Sequence, residues 1–241
     1  MLAGQRALVT GAGRGIGRAV ALCYARENAR LMLAARSVEQ LNEVAVECRA
    51  AGAPEVCIAD CDLSTRAGVD ALVQQTLQDG PIHILVNNAG AAVEGNATVG
   101  DPNEWDRMMF LNLNGPMRLT RSLVPSMVTT GYGVVINIGS IAGVEGMSGT
   151  SAAYAAAKHG LRGWSTSIYH SLRNSNVKVC LVSPAFVNTP LVAHHENVIP
   201  ERMIQPNDLA EVCLLPFRMS AACVPVEVTL RLTRSAFRSA L

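Results

Sequence analysis

The chain has 241 residues, of which 49% are hydrophobic and 16% charged, enough apolar mass for a packed core and too few charges for a disordered chain. Lys and Arg number 20 against 19 Asp and Glu, a formal net charge of +1, so no overall field draws the molecule to nucleic acid or an anionic membrane. The length suits one domain over residues 1–241 and leaves little room for a separate substrate domain.

No uninterrupted apolar run approaches the roughly 20 residues that a spanning helix needs. The N-terminus enters a short apolar segment and a glycine turn without the apolar region of a secretory signal. A cytoplasmic protein is expected. The seven cysteines are scattered, with no CxxC pair and no metal-ligand spacing, and read as buried reduced thiols.

Short apolar runs alternate with stretches of helical periodicity along the chain, the pattern of βαβ units and a parallel sheet. The first strand, residues 6–10, ends in Thr10-Gly11-Ala12-Gly13-Arg14-Gly15-Ile16-Gly17 and passes into a helix over 16–28. Glycines there permit a tight turn and bring backbone N–H groups close to a pyrophosphate at the positive end of the helix. The second strand, 30–35, ends where a dinucleotide fold carries an acid for the ribose 2′-hydroxyl. Ala35 and Arg36 stand there instead. A 2′-phosphate would meet no carboxylate and could pair with Arg36 and with Arg14, so NADP(H) is expected in preference to NAD(H).

A helix over 38–51, a strand over 55–59, a helix over 66–78 and a strand over 82–87 follow, then Asn87-Asn88-Ala89-Gly90. One long helix is expected over 105–129, with a strand over 133–140 that closes on Ser140. A helix over 152–174 opens with Tyr154-Ala155-Ala156-Ala157-Lys158. Tyr154 and Lys158, four apart, share a helix face and can meet over one ligand. Ser140 lies fourteen positions before Tyr154, a loop long enough to bring its hydroxyl beside the phenol. A sixth strand, 177–183, precedes Ser183-Pro184-Ala185-Phe186-Val187-Asn188-Thr189-Pro190. Residues 186–206 lack a strand pattern and are placed to cover a site at the carboxyl edge of the sheet. A helix over 207–219 and a strand over 226–232 complete the chain. The fold expected is therefore a single-domain, Rossmann-type doubly wound α/β sheet of about seven parallel strands with helices on both faces.

The three motifs, TGxxxGxG, NNAG and YxxxK, occur in order and at spacings that span nearly the whole chain, and the sequence resembles the short-chain dehydrogenase/reductase family. The resemblance implies cofactor contacts from Gly11, Arg14 and Ile16 in the turn, from Asp62 and Leu63 beside the adenine, from Asn88, Ala89 and Gly90, and from Pro184, Val187 and Thr189 beside the nicotinamide. It also implies a catalytic tetrad of Asn112, Ser140, Tyr154 and Lys158, with Asn114 the alternative to Asn112, and a homodimer or homotetramer. Three departures stand out: Ala185 where the family has glycine, Gly139 where a serine is common, and a C-terminus without the frequent glycine-rich tail.

The residue types suit hydride transfer to a carbonyl. Negative charge developing on the oxygen needs a positioned proton donor, and a phenol of pKa about 10 is a sluggish one at neutral pH. A neighbouring Lys158 cation is expected to lower the Tyr154 pKa and to hold the nicotinamide ribose, while Ser140 polarises the substrate oxygen. By resemblance, Asn112 would hold a water that relays protons to Lys158. The expected activity is NADPH-dependent, reversible reduction of a small-molecule ketone, aldehyde or 3-oxoacyl carbonyl; the alternative is a catalytically silent dinucleotide-binding sensor or scaffold. Residues 91–96, 141–151 and 186–206, including Val144, Met147, Phe186, Leu191 and Val192, would line an apolar pocket. His194-His195-Glu196 reads as solvated loop, and no metal site is expected.

Overall fold

The computed structural model describes residues 1–146, 151–192 and 197–237. Seven strands, β1 (Arg6–Thr10), β2 (Arg30–Ala35), β3 (Val56–Asp60), β4 (Ile84–Asn87), β5 (Gly133–Ile138), β6 (Val177–Pro184) and β7 (Glu227–Leu230), form one parallel sheet in the order β3-β2-β1-β4-β5-β6-β7. Every residue of β1, β4 and β5 is buried, which is why these segments read as continuous apolar runs. β7, at the edge, alternates exposed and half-buried positions.

Two apolar layers sandwich the sheet. On one face α1 (Gly15–Arg26), α2 (Val38–Ala50) and α7 (Pro206–Val212) contribute Val20, Tyr24, Leu41, Val44 and Ala210. On the other, α3 (Arg66–Gln78), α5 (Gly115–Thr130) and α6 (Ala152–Leu172) contribute Val69, Leu72, Leu119, Leu123 and Ile168. Side-chain caps fix several helix starts: Ser37 Oγ accepts from the Gln40 amide, Thr65 Oγ1 from Gly68, and Ser151 Oγ from Tyr154. The last of these sets Tyr154 in the first turn of α6. Strand order reverses between β1 and β4, and such a switch point opens a crevice at the carboxyl ends of the strands.

Several boundaries differ from expectation. The single helix expected over 105–129 is three pieces: α4 (Pro102–Met109), a π-turn (Phe110–Asn114) and α5. The helix expected over 207–219 breaks into α7 and α8 (Leu215–Arg218), with Pro216 in the first turn of the second piece. β5 stops at Ile138, two residues short, and Ser140 instead caps a 3₁₀ turn (Ile141–Gly143). The long segment after β6 is held by a parallel bridge from Val187 to Ile204 and contains 3₁₀ turns at Pro190–Val192 and Pro200–Arg202. Met147 and His194, His195 and Glu196 lie outside the described residues. All seven cysteines are free thiols; Cys57 is half-buried and Cys223 exposed, so burial holds for only five.

Candidate active site

The glycine turn lies where β1 hands the chain to α1. Gly11 (φ 64) and Gly15 (φ 57) occupy the left-handed region that side chains disfavour. A β-carbon on Gly17 would overlap the Gly11 carbonyl oxygen, so glycine there lets α1 pack directly on the turn. Asn88 locks this backbone from β4. Its Nδ2 donates to the carbonyls of Thr10 (2.8 Å) and Gly11 (3.2 Å), while the amides of Asn88 and Ala89 donate to Thr10 Oγ1 at 2.9 and 3.0 Å. The Asn88 side-chain amide is therefore engaged with the turn itself, a role the sequence did not reveal.

From this turn a cavity of about 1220 Å³ runs along the carboxyl edge of the sheet. It is lined at the turn by Gly11, Arg14 and Ile16, after β2 by Arg36, after β3 by Asp62 and Leu63, and after β4 by Asn88, Ala89 and Gly90. Asn112, Ser140, Tyr154, Lys158, Pro184, Val187 and Thr189 line it too. The structure thus brings the expected cofactor-contact and tetrad residues to one surface, together with Phe186, Leu191 and Val192 of the expected pocket residues, whereas the half-buried Val144 is not part of the cavity wall. Arg14 and Arg36 are both exposed. Asp62 accepts from Ser64 N and Oγ at 3.0 and 2.7 Å, and these bonds, together with the nearby Arg36 cation, hold its carboxyl below the usual range. Thr189 leans back over the turn: a β-carbon on Gly15 would stand 3.2 Å from its Cγ2. Small glycine faces, exposed cations and a continuous cleft of this size fit a phosphorylated dinucleotide.

The reacting end is assembled from β5, α5's approach and α6. Ser140 Oγ accepts from the Ala142 amide at 3.2 Å, and its hydroxyl is near enough to Tyr154 to act on the phenol's pKa. Gly143 lies so close to the Lys158 backbone that a β-carbon there would stand 2.6 Å from the Lys158 carbonyl oxygen, which fixes the Ser140 turn against α6. Lys158 is buried; its Nζ donates to the Ile138 carbonyl at 2.9 Å and lies 5.7 Å from the centroid of the Tyr154 ring.

Electrostatics here depart from the simple expectation for the Tyr–Lys pair. Burial raises the Tyr154 pKa, and the Ser140 hydroxyl only opposes that shift. Burial also lowers Lys158 to about 8. Among the protein's own groups, desolvation outweighs the influence of Lys158 on the phenol.

Asn112 sits in the π-turn, 1% exposed. Its Nδ2 donates to the carbonyls of Ala91 (2.7 Å) and Met108 (2.9 Å), and its Oδ1 is buried with no hydrogen-bond partner among the described residues. A β-carbon on Gly90 would lie 2.8 Å from that oxygen and 3.8 Å from Lys158 Nζ, so Gly90 keeps open the space between them. Asn114 is exposed. The π-turn registers the one asparagine inward and the other outward.

Behind the site runs a buried polar chain absent from the sequence reading. Asn87 Nδ2 donates to Asn137 Oδ1 at 2.8 Å, Asn137 Nδ2 to Ser165 Oγ at 2.8 Å, and Ser165 Oγ to the Leu161 carbonyl at 2.7 Å. It ties β4, β5 and α6 together beneath Ser140 and Lys158. Two of the departures also find physical reasons. A β-carbon on Gly139 would stand 2.7 Å from Ser183 Oγ, which occupies the room a serine would need. The Ala185 methyl packs on a small cluster of Val187, Ile204 and Leu209.

Comparison with known proteins agrees with this architecture. The family described as short chain dehydrogenase matches residues 5–198. An uncharacterised oxidoreductase of Staphylococcus aureus (strain USA300) is 31% identical over 234 residues, covering 96% of this chain and 98% of that protein. A ketoacyl reductase, HetN, of Nostoc sp. (strain PCC 7120) is 36% identical over 189 residues, 78% of this chain and 65% of that protein. The crystal structure of a metagenomic short-chain oxidoreductase in complex with NADP superposes with a TM-score of 0.83 at 36% identity, over 97% of this chain and 99% of that one.

Proposed function

The chain belongs to the short-chain dehydrogenase/reductase family and is an oxidoreductase, and from that premise we propose that it is an NADPH-dependent carbonyl reductase, acting reversibly on a ketone, aldehyde or 3-oxoacyl compound. The observation that carries this reading is the meeting of Ser140, Tyr154 and Lys158 in the same cavity as the glycine turn. A silent sensor would have no need of the Ser140 and Tyr154 hydroxyls gathered in one cavity beside a buried lysine.

Gly11, Ile16, Asn88, Ala89 and Gly90 would hold the dinucleotide backbone, Asp62 and Leu63 the adenine, and Pro184, Val187 and Thr189 the nicotinamide. Arg14 and Arg36 favour NADPH over NADH, since both are exposed on the cavity wall and the residue at the end of β2 is Ala35. When bound, NADPH supplies the hydride that the carbonyl carbon receives.

The chain's own groups do the rest. Ser140 Oγ donates to the substrate oxygen, and the Tyr154 hydroxyl delivers the proton as charge builds there. The raised pKa of Tyr154 keeps the phenol protonated through neutral pH, the form that reduction needs. Lys158, charged below about pH 8, then stabilises the phenolate left behind. The orphaned Asn112 Oδ1, facing Lys158 across Gly90, is suited to hold a water that returns the proton. HetN is named a ketoacyl reductase and the metagenomic structure holds NADP, which support the reaction class and the cofactor without fixing a substrate. NADPH consumption across a panel of ketones, aldehydes and 3-oxoacyl thioesters tests the reading. Turnover on members of the panel is expected; tight NADPH binding without turnover on any would overturn it.

A further inference from the structure

The C-terminal tail, residues 231–237, folds back over the carboxyl edge of the sheet and joins the two loops that frame the reacting end of the cavity. It is pinned at several points. Arg231 grips Glu145, beyond the Ser140 turn, with a two-pronged ion pair (3.1 and 2.9 Å). Leu232 packs on the Val187, Ile204 and Leu209 cluster. Ala236 is fully buried, and its carbonyl accepts from the Ile199 amide at 2.7 Å. Phe237 forms an antiparallel bridge with Val198, and its amide donates to Ser235 Oγ at 3.2 Å. The backbone is thus held by contacts that do not use the Phe237 side chain.

That side chain does something else. Its ring meets Phe186 edge to face, with centroids 5.1 Å apart and planes at 90°, and both rings line the cavity that holds Ser140 and Tyr154. Phe237 remains 36% exposed although the residue before it is fully buried. A large apolar ring left facing a cavity is where a ligand gains most by covering it. Resting on the carbonyl-reductase reading above, we propose that Phe237 is a specificity-determining residue: with Phe186 it forms an apolar wall that selects carbonyl substrates bearing an aryl or comparably bulky apolar group.

Acetophenone and acetone separate the wall from the chemistry, with Phe237→Ala and Phe237→Leu as the variants. In Phe237→Ala, kcat/KM for acetophenone should fall about tenfold, the scale of one lost aromatic contact, mainly through KM. The acetone value and NADPH affinity should hold, and Phe237→Leu should recover most of the loss. An equal fall on both ketones, or no fall on either, would overturn the proposal. Should the wild type reduce neither ketone, calorimetric binding of 1-phenylethanol decides the wall by itself, while the full carbonyl panel decides the reductase reading. A tenfold weaker affinity in Phe237→Ala would support it; unchanged affinity, or no binding to the wild type, would overturn it.

Discussion

The two ends of the cavity are built by different means. At the cofactor end the turn offers main chain: Gly11, Gly13 and Gly15 bring backbone to the wall, Gly17 lets α1 pack against it, and Thr10 and Asn88 spend their side chains holding that backbone in place. At the substrate end the surface is side chain, offered by loops that touch one another through an ion pair, a bridge and an aromatic contact. Backbone walls bind any ligand with the right phosphates and tolerate no added atoms. Side-chain walls can change with each substitution, so one frame can serve many substrates. Perturbing the first end should therefore affect every reaction of the enzyme alike, and perturbing the second should reorder its substrates.

The harshest test of this contrast is Gly17→Ala, which forces a methyl into the Gly11 carbonyl. Overpacking of this kind costs about 1–3 kcal/mol. A lower Tm and an NADPH affinity reduced by roughly tenfold or more, equally for every ketone, are expected from thermal melts and fluorescence titration. Next in size, Arg14→Ala combined with Arg36→Ala should lower kcat/KM for NADPH by about tenfold or more, the scale of a charge-assisted hydrogen bond. NADH should be used as before, since it lacks the phosphate that the arginines would meet.

Where the two ends join, pH gives a third test. The proposed reduction uses Lys158 charged, and burial has brought its pKa down to about 8. The kcat/KM for reduction should be flat below that value and fall about tenfold per pH unit above it. A profile level to pH 10 would remove Lys158 from the protonated form of the active enzyme. Glu145→Gln should have the smallest effect. Both partners of the Arg231 pair are substantially exposed, 58% and 45% for the arginine and glutamate side chains, so a rise in KM of about two- to threefold is expected, with NADPH affinity unchanged.

The same contrast governs what could be read from the sequence. β1, β2 and α3 have the boundaries that their patterns announce, because strand and helix periodicity and the turn glycines are local signals. The four residues that meet in one cavity, Asn112, Ser140, Tyr154 and Lys158, were legible through motifs and resemblance. The break of the long helix was not: the π-turn at Phe110–Asn114 coincides with Asn112 reaching the Ala91 carbonyl, a contact twenty-one residues away in sequence. Nor did any local pattern mark the tail. Arg231 finds Glu145 eighty-six positions earlier, and Phe237 finds Phe186, so this side of the cavity exists only after the sheet has closed. The raised pKa of Tyr154 likewise follows from burial, which spacing does not report.

The central claim is that Tyr154 carries the proton in an NADPH-dependent reduction, on a frame that binds cofactor independently of it. Single-turnover NADPH oxidation by Tyr154→Phe, with NADPH affinity measured on the same preparation, addresses it most directly. The account predicts affinity close to wild type and a rate lower by about 10²–10⁴. A rate near wild type with cofactor bound would contradict it.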